Sequence, residues 1–391
     1  MVFYVFIIKL KSMNFLKQNR KYLVILTLLI TCVTYYSFSL KNKAIKIEEK
    51  GLEDYTEIIK NALSKSDHII IKSGKYPLSA PIYLNSNTII EGEDNTVLLK
   101  KNNYSHVFTN KSATLDYSDK YDKTIKIKNI TIDAQFLGTQ NDAAHKTANG
   151  HLSFKFLENL ILENVKIING DSILYGIHLQ SVVDATIEEY TYEGLKDGIH
   201  INGGCKDILI EDFDITSGDD AFGIMTDDYP RVQHNTQDIE NVTIRDGISR
   251  KSSIQKGFFL RFVTGSWLSW KEGNSYKIGH TVNNNRLQYK KVNGGEHISL
   301  IPPSHTSGDS TYLDNITWRF IGKGTNTSST IKNITIKNVM LKDDRGIYRR
   351  FDDDEHNNSL YPGTEGTKLK NINIENVYLS NGNKVFITFV N

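Results

Sequence analysis

Tyr175-Gly-Ile-His-Leu179 returns as Asp197-Gly-Ile-His-Ile201, then as Asp220-Ala-Phe-Gly-Ile224, Lys256-Gly-Phe-Phe-Leu260 and Glu296-His-Ile-Ser-Leu300. In each copy the third and fifth positions are apolar, while the first and fourth are mostly polar. That is the period-two pattern of a strand with one face buried. The copies are 22, 23, 36 and 40 residues apart. A recurrence of roughly 20–25 residues, lengthened where loops are inserted, belongs to a β-solenoid. Neighbouring coils of such a stack lie ~4.8 Å apart. Tyr175, Asp197, Asp220, Lys256 and Glu296 should then form one outward column, with Asp219 at its edge.

A second phrase supports the same reading. Asn129-Ile-Thr-Ile, Asn159-Leu-Ile-Leu, Asp184-Ala-Thr-Ile, Asp207-Ile-Leu-Ile, Asn241-Val-Thr-Ile, Asn315-Ile-Thr-Trp, Asn333-Ile-Thr-Ile and Asn371-Ile-Asn-Ile give a second sheet. Each copy opens on Asn or Asp, which suits a stacked turn. Before them come strands at His68–Lys72 and Thr88–Ile90, with turn chemistry between Gly74 and Leu84. Residues 54–65 read as a short helix that caps the open first coil. Asp54 and Glu57 form a capping-box pattern, and Tyr55, Ile58, Ile59, Ala62 and Leu63 fall on one face. The fold expected is all-β: a single-stranded right-handed parallel β-helix over 52–391, with this helix as its cap. The last residues, Val385–Val390, read as a strand that stops abruptly.

The 391 residues carry a net charge of +2 with the basic side chains scattered, so nothing favours nucleic acid. Of two cysteines, Cys32 lies in an N-terminal apolar segment and Cys205 reads as buried filling at a coil turn. A disulfide framework and a cysteine metal site are therefore excluded. Residues 1–21 form a basic leader, with Met13 an alternative start. The uncharged stretch 22–38 follows as a signal peptide, cut near Ser37-Phe-Ser39, or as a signal-anchor helix. A lipoprotein box ending at Cys32 is a third reading. All three place the body outside the cytoplasm, secreted or held to the membrane through this segment if it stays uncleaved. Residues 40–50 read as a charged tether.

The chemistry gathers on the column. Asp197, Asp219, Asp220, His200, Lys256 and Arg261 should share one groove, with Asn202 on the outward strand beyond. Close carboxylates repel, so at least one should hold a proton near neutral pH, giving an acid and a base together. Glycosidic cleavage with inversion uses such a pair with room for water between them. Lys256 and Arg261 could hold a sugar carboxylate. Two insertions emerge beside the column: 226–237, with Tyr229, and 264–292, with Trp267 and Trp270, whose indoles could stack on sugar rings or pack their own loop. The plainer alternatives are that Asp-Gly and Gly-Asp-Asp are ordinary turn sequences, and that His178 and His200 form a solvent-facing ladder. The run Asp352–His356 lacks the spacing of a calcium loop and reads as solvated. No metal site is expected.

At these residues the chain resembles the polygalacturonases, glycoside hydrolase family 28, on the pectin-lyase-like right-handed β-helix. Lys196-Asp197-Gly198 stands where that family has Asn-Thr-Asp-Gly, and Ser217-Gly218-Asp219-Asp220 matches its Gly/Gln-Asp-Asp one coil later. The motif match covers 196–224. The resemblance implies Asp219 as general acid, with Asp197 and Asp220 activating water. The family's Gly-His-Gly and Arg-Ile-Lys motifs are missing, which points to a different acidic or neutral polysaccharide as substrate. The hydrolase needs no cofactor. Two alternatives stand beside it. One is a β-elimination lyase in which the aspartates hold Ca²⁺ and Lys256 or Arg261 takes the proton. The other is a non-catalytic carbohydrate-binding protein.

Overall fold

Among the described residues, successive coils stack their strands into three parallel ladders. The computed structural model describes residues 27, 43–115, 118–138, 150–226, 237–252, 257–263, 268–278, 281–285, 287–295, 297–323, 329–342, 348–350 and 369–385. The first face runs through Ile82–Leu84, Phe108–Asn110, the openings of Gly150–Gly170 and Tyr175–Glu188, then Ile199–Asn202, Phe222–Met225, Leu260–Val263 and Tyr348–Arg350. The second face includes His68–Ile71, Thr88–Gly92, Asp122–Asp133, Lys206–Glu211, Ile239–Lys251, Ile331–Leu341 and Leu369–Leu379. The third includes Gly74–Leu78, Thr96–Lys100, Thr191–Gly194 and Asp214–Ser217. This is a parallel β-solenoid, as the repeat spacing predicts.

The alternation of the sequence builds the interior directly. Ile125, Leu160, Ala185, Ile208, Val242, Ile334 and Ile372 stack coil on coil in one inward column. The apolar core runs unbroken from Ile47 to Val385. The corners have their own logic. Asn159, Asp184, Asp207, Asn241, Asn333 and Asn371 all sit at left-handed φ between 53° and 68°, a region that Asn and Asp tolerate better than other side chains. Their amides also bond along the stack: Asn241 to Asp207 at 2.7 Å, Asn333 to Asn241 at 3.0 Å, and Asn371 to Asn333 at 2.9 Å.

A second corner ladder lies five residues further on. It contains Asn164, Asp212, Asp246, Asn338 and Asn376, and Asn129 belongs to it, bonded by Asn164 at 3.0 Å. The expected grouping of Asn129 with Asn159 is therefore one corner off. Both corners demand the same backbone conformation, so the same residue types recur at both.

Other expectations are corrected. Gly74–Leu78 and Ile82–Leu84 are strands of the stack rather than a turn. Ile45–Ile47, expected within a tether, pairs in parallel with Ile69–Ile71 and extends the stack. The copies at Asn315 and Glu296 are not coils. Thr317–Lys323 lies in a five-stranded sheet with Leu268–Ser269, Thr281–Asn284, Leu287–Asn293 and Asp309–Thr311, joined by antiparallel pairings except between Leu268–Ser269 and Thr281–Asn284. Ile298–Ser299 pairs antiparallel with Asn274–Ser275. Period-two alternation is the same in parallel and antiparallel strands, so the phrase alone cannot distinguish them. This insert has its own core of Tyr276, Val282, Tyr289, Ile316, Trp318 and Phe320.

The capping helix spans Thr56–Lys65, with Tyr55, Ile59, Ala62 and Leu63 buried; Ile58, expected on that face, is exposed. Asp54 Oδ1 accepts from Thr56 N at 2.9 Å, whereas Glu57 pairs with Lys60 at 3.0 Å instead of closing a capping box. Among the described residues no helix is long and apolar enough to cross a membrane. The segment 22–38, Thr27 excepted, lies outside them, as do 343–347, 351–368 and the strand expected over 386–390.

Candidate active site

The turn that links the third face to the first carries acids on two successive coils. Thr191–Gly194 leads through Lys196 and Asp197 into Ile199–Asn202, and Asp214–Ser217 leads through Asp219 and Asp220 into Phe222–Met225. The two turns pack backbone against backbone. Gly198 N donates to Asp220 O at 3.0 Å, and Gly176 N donates to Asp197 O at 2.9 Å. A Cβ at Gly218 would stand 2.5 Å from Leu195 O, and one at Gly257 would stand 1.9 Å from the Asp219 carbonyl. The glycines that make these sequences look like ordinary turns are thus what lets the acids approach one another.

Asp197, Asp219 and Asp220 offer carboxylate oxygens that all lie within 4.8 Å of one another. Asp197 and Asp220 are buried, and Asp219 stands at the mouth with 29% of its side chain exposed. Asp197 Oδ2 is hydrogen-bonded to His200 Nδ1 at 2.7 Å, and its Oδ1 is 3.9 Å from Lys196 Nζ. Asp219 is in direct ion-pair contact with Lys196. Asp220 Oδ1 accepts from Phe258 N at 2.8 Å, and its Oδ2 is 3.7 Å from Arg261 Nη1. The Tyr175 ring stacks on His200 with centroids 3.9 Å apart, and Lys196 Nζ lies 5.7 Å from the Tyr175 centroid. A Cβ at Gly223 would stand 2.6 Å from His200 Nδ1 and 2.9 Å from Asp197 Oδ2, so only hydrogen fits there.

The environments of the three acids differ. Burial, together with the charges of Asp197 and Asp219, pushes the Asp220 carboxyl up to about 7 against the opposing pull of Arg261. Burial alone would also raise Asp219, but Lys196, Arg261 and His200 outweigh it and hold that carboxyl below its usual range. Burial would lower the Lys196 ammonium, and the surrounding carboxylates instead hold it well above its ordinary value. The spacing of the trio would suit a cation. Lys196 and Arg261 already answer its charge from within the chain.

The residues singled out in the sequence are placed as follows. His200 joins the acids but is buried, as is His178, so they are not a solvent-facing ladder. His178 Nε2 lies 2.6 Å from Asn202 Oδ1, Ser153 Oγ lies 3.0 Å from His178 Nδ1, and Asn202 Nδ2 donates to Met225 O at 3.2 Å. Asn202 takes part in this polar network and is wholly buried rather than exposed. Arg261 stands opposite Gly223, in the column of His178 and His200.

The expected alignment of Lys256 with Asp220 is two residues off. Leu260 pairs with Phe222, and Ala221 N donates to Phe258 O. A two-residue slip keeps every side chain on its own face, so the alternating pattern cannot detect it. Lys256, Tyr229 and Trp267 lie outside the described residues. Trp270 packs against the core of the insert and donates from its indole nitrogen to Ser299 Oγ at 2.9 Å. Alternation and spacing alone assign Lys196 and Tyr175 no part in the chemistry. The visible signal was the lysine directly preceding Asp197 in a turn that repeats.

No family model matches the chain, and no curated protein matches it. Among solved structures it is similar to a family 28 exopolygalacturonase of Yersinia enterocolitica, with 11% identity over 87% of this chain and 66% of that one, at a TM-score of 0.46. It is also similar to PfbA, a surface adhesin of Streptococcus pneumoniae, with 13% identity over 85% and 88% at 0.41. The catalytic domain of a GH87 alpha-1,3-glucanase matches with 12% identity over 87% and 66% at 0.37.

Proposed function

We propose that the protein is a carbohydrate-active enzyme, a glycoside hydrolase that cleaves a polysaccharide with the Asp197, Asp219 and Asp220 trio as its acid and base. One observation carries this reading: three carboxyls from two coils lie within 4.8 Å, one pushed up to about 7 and another held low by a lysine. A protonated and an ionised carboxyl side by side are what glycosidic cleavage needs near neutral pH. Arg261, about a quarter exposed, supplies a cation at the mouth for an acidic or polar sugar. The internal cations Lys196 and Arg261 favour hydrolysis over a calcium-dependent elimination, because the charge that Ca²⁺ would answer is already met.

The trio's oxygens are closer than the roughly 6.5–9.5 Å that leaves water between two carboxyls in most inverting enzymes. Asp197 and Asp220 are nevertheless buried, and Asp219 is tied to Lys196, which disfavours each of the three as a nucleophile on a sugar carbon. We therefore keep direct attack by water, held beside the trio at its exposed Asp219 side, and inversion at the anomeric carbon. The proposal includes export through 22–38, with the protein secreted or anchored.

The test is product analysis on a panel of acidic and neutral polysaccharides, with EDTA and with Ca²⁺. EDTA-resistant release of reducing ends, without an ultraviolet-absorbing unsaturated product, is the expected result. Calcium-dependent release of the unsaturated product would favour the lyase. Glycan binding with no new ends would favour the binding protein.

A further inference from the structure

Three carboxyls that share one pocket cannot all ionise at neutral pH, and their unequal surroundings decide which keeps a proton. Asp219 has a full cation in contact, the Lys196 ammonium. Asp197 has His200 at 2.7 Å and the same ammonium at 3.9 Å. Asp220 has one backbone N–H, from Phe258, and a guanidinium across 3.7 Å, beyond hydrogen-bond reach. It is also more deeply buried than Asp219. The charged and titratable groups around this proton are Asp197, Asp219, Lys196, His200 and Arg261, with Tyr175 and Tyr192 beside them.

We propose that Lys196 is a positioning residue: its ammonium clamps Asp219 and reaches Asp197, and so leaves the one carboxyl proton of the free site on Asp220. The directions of the Asp219 and Asp220 shifts agree with this geometry. The resemblance to polygalacturonases implies Asp219 as the acid. In the free site Asp219 is instead ionised, and it can take up a proton only once Lys196 is drawn off it. The inference rests on the glycosidase reading for what the proton is used for. Where the proton lies is measurable without any substrate.

The experiment is a carbon-13 titration of the carboxyl signals of the full chain, labelled at aspartate, from pH 4 to 9. Wild type should show one carboxyl titrating near neutrality. That signal should be lost in Asp220→Asn and kept in Asp219→Asn, there at a lower midpoint because the Asp219 charge no longer raises it. In Lys196→Met its midpoint should move by about one pH unit or more, with a second carboxyl drawn upward, since an adjacent opposite charge is worth about 1–3 units. Lys196 is partly exposed, so this variant still decides the matter should Asp220→Asn fail to fold. Loss of the near-neutral signal in Asp219→Asn would overturn the proposal. So would its absence from wild type, or an unchanged midpoint in Lys196→Met. None of these outcomes depends on whether a glycan is cut.

Discussion

Asp220 links the site to the stability of the whole chain. Its folded carboxyl is raised from 3.8 to about 7, so between those values the folded state holds a proton that the unfolded state has released. Stability should therefore fall as pH rises through that window. The total is up to roughly 4 kcal/mol at about 1.4 kcal/mol per pH unit. Asp219 works in the opposite direction: its lowered carboxyl stabilises the fold above its unfolded value, and that contribution is lost as pH falls below it. Thermal unfolding from pH 4 to 8 checks this, with Asp220→Asn expected to flatten the decline and to exceed wild type above pH 7. Gly223→Ala makes a second test. Its methyl would part His200 from Asp197, and a displacement of ~1 Å at a reacting group costs on the order of a hundredfold in rate. Circular dichroism should meanwhile report an intact solenoid. At this scale the sequence is partly legible. The two motifs name the three acids, but the role of Lys196 depends on side-chain direction in a turn. Nothing in alternation or spacing encodes that direction.

Strands and corners were the most legible level, and their errors have physical causes. The inward columns follow from period two. The corners follow from Asn and Asp, which satisfy both a left-handed backbone and a bond along the stack. Asn333 does both, donating to Asn241 and accepting from Asn371 at φ +57°. Asn333→Ala should cost about 1–3 kcal/mol in urea unfolding. Asn333→Gly should recover the part that belongs to the backbone, leaving only the lost ladder bonds. What the pattern could not fix was register in steps of two, which misplaced Lys256, or the choice between two corners, which misplaced Asn129. Nor does it distinguish a coil from an antiparallel insert, which is why the phrases at Asn315 and Glu296 look like coils in the sequence.

Among the described residues the molecule is a stack that carries an insert with its own sheet. The solenoid core and the core of the insert are separate clusters of buried side chains, and separate cores can open separately. Trp318→Ala empties the centre of the insert, where the indole is fully buried against Tyr276. Hydrogen exchange should then quicken across 281–323 while the strands from Ile177 to Val263 stay protected. A loss of protection in both would show that the insert and the stack fold as one unit.

In the proposed function the acid trio does chemistry rather than merely shaping two turns. The most direct measurement is the rate of reducing-end release by Asp219→Asn and by Asp220→Asn on whichever glycan the wild type cuts. A loss of about 10²–10⁴-fold or more is expected in each, as for removal of a general acid or base, with folded proteins in both cases. Cutting by both variants at the wild-type rate would contradict it and reduce Asp197, Asp219 and Asp220 to the chemistry of a corner.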